Sequence, residues 1–161
     1  MDLSERRICN FFRKYGNCCL VNKFSLDLDY SDTETLTIDV KRSNNSIIIN
    51  YIYRKSTDYI DIPLVPLSLS NHINSFLDDY IKLCVKIRFP LDYPFNQPVW
   101  SLYSVHHNLV CQLDIKNYYQ YQIDNHNMMY KRVWSPAIDI DKDILEFTQK
   151  NNFFRDIPIY I

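Results

Sequence analysis

Glycine is nearly missing from this chain: Gly16 is the only one in 161 residues. Loops that cradle phosphate need glycine so that backbone amides can close on the anion, so P-loop and dinucleotide-fold chemistry is excluded. Turns must rest instead on Asn, Asp, Ser and Pro. A dominant charge is also missing. Lys and Arg number 18 against 19 Asp and Glu, a formal net charge of −1, which leaves no global field for nucleic acid or an anionic membrane. No apolar run approaches the roughly 18 residues that a membrane span needs. The start, Met1 to Arg7, lacks the apolar stretch of a secretory signal. The expectation is a protein of the cytoplasm or nucleus, in a reducing compartment.

Metal-ligand spacings are absent as well. Cys9, Cys18, Cys19, Cys84 and Cys111 form no CxxC pair, and His72, His106, His107 and His126 form neither HxxxH nor HExxH. An odd thiol count without a signal reads as free cysteines, each by default a small buried hydrophobe. Neither a metal nor a cofactor is expected.

What remains is a patterned globular chain. A hydrophobic share of 47% with 23% charged residues excludes disorder, and the length suits one domain spanning residues 1–161. The excess of Asn, Ile, Tyr and Lys is that of AT-rich coding, which fits an intracellular parasite or a virus. Ile8, Phe11, Phe12 and Tyr15 repeat at helical spacing, with Ser4 as the expected cap and Gly16 at the C-terminal stop. Arg6, Arg7, Arg13 and Lys14 fill much of the other face, where a solvated surface is their ordinary role.

Leu36, Ile38 and Val40 alternate with polar residues as a half-buried strand does. A turn over 42–46 leads into the β-rich run 47–53, giving an antiparallel pair. Pro63 and Pro66 argue against a central strand within 58–80, and a short helix fits 70–79. Ile81, Leu83, Val85, Ile87 and Phe89 mark another strand, closed by Pro90. Residues 89–98 carry Pro90, Pro94 and Pro98, which removes three amide donors and forbids ladder pairing. A short strand over 99–103 follows, then a long irregular segment. A last helix has Asp141 as its expected cap and Ile140, Ile144 and Phe147, with Leu145 beside them, as its apolar face. The class is α+β, with helices laid against one antiparallel sheet.

Three blocks then stand in a telling order: Phe89-Pro90-x-Asp92-Tyr93-Pro94-Phe95-x-x-Pro98, His106-His107-Asn108, and Trp134-Ser135-Pro136-Ala137-x-x-Ile140-x-Lys142. Together they resemble ubiquitin-conjugating enzymes. The tyrosine–proline step also occurs in the related RWD domains, but Trp-Ser-Pro-Ala favours the conjugating enzymes. The resemblance implies an N-terminal helix, a four-stranded antiparallel meander, a proline-rich crossing and a central helix after Trp-Ser-Pro-Ala. The family's two further C-terminal helices are expected to be absent, and 58–80 and 116–133 are insertions on this reading.

In the family a cysteine thiolate carries ubiquitin as a thioester, and the asparagine of a His-Pro-Asn step stabilises the oxyanion. Here His107 replaces the proline while Asn108 is kept. Leu113-Asp114-Ile115 matches the triplet after the family's cysteine, but Gln112 then takes the thiol's place and Cys111 comes one residue early. Successive extended side chains point to opposite sides, so Cys111 is expected to face away from Asn108. Counting back from Trp134 reaches the region of His126, where no cysteine stands.

The resemblance therefore implies a non-catalytic variant. Its candidate partner-binding residues are Pro94 and Phe95 on one loop and Ser135, Pro136 and Ala137 on the other, where RING-type ligases dock. Arg6, Arg7, Arg13 and Lys14 correspond to the helix that meets the activating enzyme. The implied partners are ubiquitin or a ubiquitin-like protein, a RING-type ligase, or a conjugating enzyme, with self-association through the tail 157–161 also open. Two other readings stand beside it. One is an active enzyme using Cys111 with Asn108. The other is a scaffold without ubiquitin chemistry, presenting the tyrosines of 116–133.

Overall fold

Helix α1 (Leu3–Tyr15) buries Ile8, Phe11 and Tyr15 and half-buries Phe12, as its spacing demands. Its cap is Asp2, whose carboxylate accepts the Glu5 amide at 2.7 Å. Ser4 lies inside the first turn instead. Aspartate caps as well as serine does, and its charge also suits the positive helix N-terminus. The computed structural model describes residues 2–15, 34–55, 66, 69, 78–111, 113–151 and 153–156. Gly16, most of the 58–80 insertion and the tail 157–161 lie outside the described residues.

Four strands form one antiparallel sheet in the order β1-β2-β3-β4: β1 (Glu34–Ser43), β2 (Ser46–Lys55), β3 (Asp79–Arg88) and β4 (Val99–His107). The β1–β2 turn is tighter than the 42–46 expectation. It is made by Asn44 and Asn45, with Asn44 at φ 49°, a left-handed conformation that asparagine tolerates. Asp79 opens β3, so a helix over 70–79 cannot extend that far. Leu36, Ile38, Val40, Ile47, Ile49, Tyr51, Tyr53, Ile81, Leu83, Val85 and Ile87 are all buried. Their strict alternation turns one sheet face inward.

Strand β4 runs four residues beyond the expected 103, through His106 and His107. Cys84 pairs with Ser104 while Val85 pairs with Leu102, so Tyr103 is the extra residue of a bulge. A bulge shifts the face of every later residue, which is why the alternation fades at Tyr103. Between β3 and β4, residues 89–98 stay out of the sheet and turn on the Tyr93 amide to Pro90 O (3.0 Å) and the Phe95 amide to Asp92 O (2.8 Å). The Tyr93–Pro94 peptide is cis.

The largest departure from the sequence reading is helix α2 (Ile115–Val133), which occupies the span read as an irregular insertion. Ile115, Tyr119, Ile123, His126 and Tyr130 are buried, at spacings of four, four, three and four that trace one helical stripe. Asp114 caps the helix, its Oδ1 accepting the Asn117 amide at 3.2 Å. Tyr119 and Tyr130 therefore belong to the core, Tyr118 is half-buried, and Tyr121 is exposed.

Helix α3 (Ile140–Lys150) starts after Asp139, not Asp141, and buries Ile140, Ile144 and Phe147 while Leu145 is half-buried. One further turn, α4 (Phe153–Asp156), inserts Phe153 and Phe154 into the core. Tyr119 lies against Tyr53 with ring centroids 6.4 Å apart, and Phe147 lies against Tyr51 at 6.0 Å. Helices α2 and α3 thus cover the same sheet face, an α+β layer arrangement. Among the described residues no helix is long and apolar enough to cross a membrane.

Because the Asp114 side chain satisfies one of the orphan amides of a long helix, Asp114→Ala should lower stability by about 1 kcal/mol, whereas Asp114→Asn should lower it much less. Urea unfolding of the three proteins measures this; equal midpoints would remove the capping role.

Candidate functional site

The two loops singled out by sequence meet in one corner. The Trp134 indole Nε1–H donates to the Pro94 carbonyl at 2.8 Å, and the Tyr93 and Trp134 rings lie 6.1 Å apart. Phe89 packs edge-on against Tyr93 at 4.8 Å. Helix α1 closes the corner from the side. Arg7 donates to the Ile138 carbonyl at 3.4 Å and to the Pro136 carbonyl, and its guanidinium stands 5.7 Å from the Tyr93 ring centroid. Arg7 is accordingly no solvated cation. It ties α1 to the loop after Trp134, through hydrogen bonds that a long planar donor is suited to make.

The other three cations divide. Lys14 pairs with Asp141 at 3.3 Å, and the Tyr15 hydroxyl donates to the same carboxylate at 2.7 Å. Arg6 and Arg13 are exposed. Burial alone would push the Asp141 carboxyl up, but the hydrogen bonds from Tyr15 and Lys14 outweigh it and hold the group below its ordinary 3.8. Asp141 is thus a strut between α1 and α3 and not a helix cap.

Exposure separates packing from presentation among the loop residues. Pro94 is buried, while Phe95 beside it is 69% exposed. Ser135 is half-buried, its Oγ accepting the Ala137 amide at 3.2 Å. Pro136 and Ala137 are exposed. The surface offered by the corner is therefore Phe95, Pro136 and Ala137.

The thiol segment is held by backbone contacts. Asn108 leaves β4 and caps the start of β3: its Oδ1 accepts the Tyr80 amide at 2.8 Å and its Nδ2 donates to the Asp78 carbonyl at 2.8 Å. His107 Nδ1 accepts the Leu109 amide at 3.1 Å. Cys111 is half-buried against the core edge, its thiol donating to Leu113 O at 3.3 Å. Asn108 and Cys111 thus each hold backbone, the former at β3 and the latter at the entry to α2. Asn108 is a brace here.

Sequence reading missed a buried, hydrogen-bonded group in the interior. Asp143 Oδ1 meets His126 Nε2 at 2.6 Å, with side-chain exposures of 2% and 4%, and Asp143 Oδ2 accepts the Trp100 indole N–H at 3.1 Å. The His126 ring is framed by Trp100 at 4.7 Å, Tyr130 at 4.7 Å and Phe147 at 5.4 Å. Asn127 brackets the Trp100 backbone, accepting its amide at 2.9 Å and donating to its carbonyl at 2.8 Å. Burial pushes the Asp143 carboxyl up, against the pull of His126 and Trp100. One signal was available: Asp143 stands at i+3 in the stripe Ile140, Ile144, Phe147, a carboxylate on an apolar face. Both side chains, His126 and Asp143, are almost fully shielded from solvent. Among the described residues no cluster of three His, Cys, Asp or Glu could hold a metal.

Compared with models of protein families, with curated proteins and with solved structures, the chain matches none.

Trp134→Phe keeps an aromatic ring but removes the indole N–H and strands the Pro94 carbonyl, and a stability loss of about 1–2 kcal/mol by denaturant unfolding is expected. An unchanged midpoint would detach the two loops from each other.

The depressed Asp141 pKa fixes a pH dependence. A carboxylate whose pKa is lower folded than unfolded contributes stability above its unfolded pKa and loses it as pH falls through the folded value. The stability gap between wild type and Asp141→Asn should be full at neutral pH and shrink below about pH 4. A gap that widens on acidification would contradict the strut.

Proposed function

We propose that this protein is a non-catalytic relative of ubiquitin-conjugating enzymes. It binds a ubiquitin-pathway partner, a RING-type ligase or a conjugating enzyme, through Phe95, Pro136 and Ala137 with Arg6 on the adjoining helix. The observation that carries this reading is the Trp134–Pro94 hydrogen bond, which holds both loops in one frame and leaves Phe95 facing outward. An exposed aromatic on a fixed support is the usual anchor of a protein interface, because little motion is lost on binding.

The non-catalytic part rests on two features. The Asn108 side chain is spent on Asp78 and Tyr80 backbone. The interval before Trp134, where the family carries its thiol, is a 19-residue helix whose inner stripe fills the core. His126, the position reached by counting back from the tryptophan, is 5% exposed, and a thiol there would meet no substrate.

The full chain, incubated with activating enzyme, ATP and ubiquitin, should form no adduct that reducing agent removes. A reducible adduct lost in Cys111→Ser would replace this reading with an enzyme. In binding assays against purified RING domains and conjugating enzymes, Phe95→Ala should weaken the partner by about tenfold or more, while Tyr103→Ala, exposed at the β4 bulge, should not. A partner held equally by both variants would favour a scaffold that uses another surface.

A further inference from the structure

Helix α2 is amphipathic in an unexpected direction. Its inner stripe fills the core, yet its last two turns also expose apolar side chains, Met128 at 55% and Val133 at 59%. These border a shallow groove with Asn125, Met129 and Arg132. A second depression is lined by Met128, Lys131 and Arg132. The shared residues make one continuous trough along the outer side of the helix. No Asp or Glu lines any part of it.

The charge in this trough is unbalanced. Among the described residues neither Lys131 nor Arg132 pairs with a carboxylate. The nearby Glu146 is already held by the Tyr130 hydroxyl at 2.8 Å and by Lys150 at 3.1 Å. Cations in a last helical turn are favoured by the helix dipole, which accounts for Lys131 and Arg132. The dipole does not account for an exposed methionine and valine interleaved with them. Methionine is flexible and polarisable, which lets one surface mould itself to different apolar side chains.

We propose that this trough binds an acidic amphipathic segment of a partner protein. The segment's apolar residues would seat on Met128 and Val133 and its carboxylates on Lys131 and Arg132. Charge complementarity selects the occupant: a basic or neutral segment would leave both cations unpaired, and a polyanion without apolar groups would leave the methionine and valine in water. The proposal is independent of the ubiquitin-pathway reading, because it does not use Phe95, Pro136 or Ala137.

The test pans a random-peptide library on the full chain and measures the enriched peptides by fluorescence anisotropy. Selected sequences should combine Asp or Glu with apolar residues. Their binding should weaken about tenfold or more both in the pair Lys131→Glu with Arg132→Glu and in Met128→Ser. Phe95→Ala should leave it unchanged, which separates failure here from failure of the docking corner. Circular dichroism confirms that the variants, all of exposed residues, remain folded. Neutral or basic selected sequences, no enrichment over the charge-reversed protein, or poly(U) RNA bound equally well by wild type and Met128→Ser would each overturn the proposal. Met128-dependent self-association that excludes peptide would assign the trough to a second copy and overturn it too.

Discussion

Asp143 is where three elements of this fold are joined in the dark. It lies on α3, accepts the indole N–H of Trp100 from β4, and meets His126 from α2. A buried carboxylate without partners would cost several kcal/mol, so each of the three elements holds its place partly because Asp143 requires all of them. The constraint then propagates outward. His126 packs on Tyr130, and Tyr130 packs on Trp134 at 5.6 Å. Trp134 in turn holds Pro94 through its indole. An unbroken run of contacts therefore leads from the deepest polar group to the surface loop that presents Phe95. Such a pair is weak grounds for a claim of net stability, since a well-packed apolar replacement can do as well. What it specifies is arrangement: helix α2 cannot rotate or slide without stripping Asp143 of its contact with His126.

The same constraint explains what could be read in the sequence and what could not. Strands β1 and β3 were legible because their periodicity of two is strict and their inner residues are Ile, Leu and Val, as in Ile81–Ile87. Helix α1 was legible from four apolar residues, though its cap was misassigned because Asp2 and Ser4 are both competent caps two positions apart. Helix α2 was not legible, for two physical reasons. Its sequence is rich in Tyr, Asn and Gln, of which Tyr and Asn are only moderate helix formers. Its inner stripe also contains a histidine and two tyrosines, so the apolar period is diluted by residues that count as polar until their partners are known. Only the Asp143 interaction makes His126 a core residue, and Asp143 lies 17 positions away. The bulge at Tyr103 hid the second half of β4 in a similar way, by moving the alternation out of phase.

Of the candidate site, the pairing of the two proline-bearing loops was legible only through the three-block resemblance, since nothing local in either loop names the other as its partner. The division of labour within them was not. Sequence treats Pro94 and Phe95 alike, and likewise Arg6 and Arg7. The fold buries Pro94 and exposes Phe95, and it fastens Arg7 to Pro136 and Ile138 while leaving Arg6 in solvent. A planar cation one helical position further round reaches carbonyls that its neighbour cannot. That choice is set by α1's orientation, which Phe11 and Tyr15 determine by packing, a tertiary fact with no local signature.

Whether the corner exists to pack or to present can be argued from its own composition. If residues 89–98 served packing alone, their large apolar side chains should all turn inward, because each one left outside forfeits about 1.5–3 kcal/mol of burial. Phe89, Tyr93, Pro94 and Pro98 do turn inward. Leu91 and Phe95 do not, at 97% and 69% exposed. A single exposed hydrophobe is ordinary, but two in one short loop, four residues apart and fixed on either side of a buried tyrosine–proline step, are not required by the interior they flank. The inner residues have already completed the packing. Leu91 and Phe95 are free to be selected for something outside the molecule, and the rigid wall behind them lowers the entropic cost of being bound.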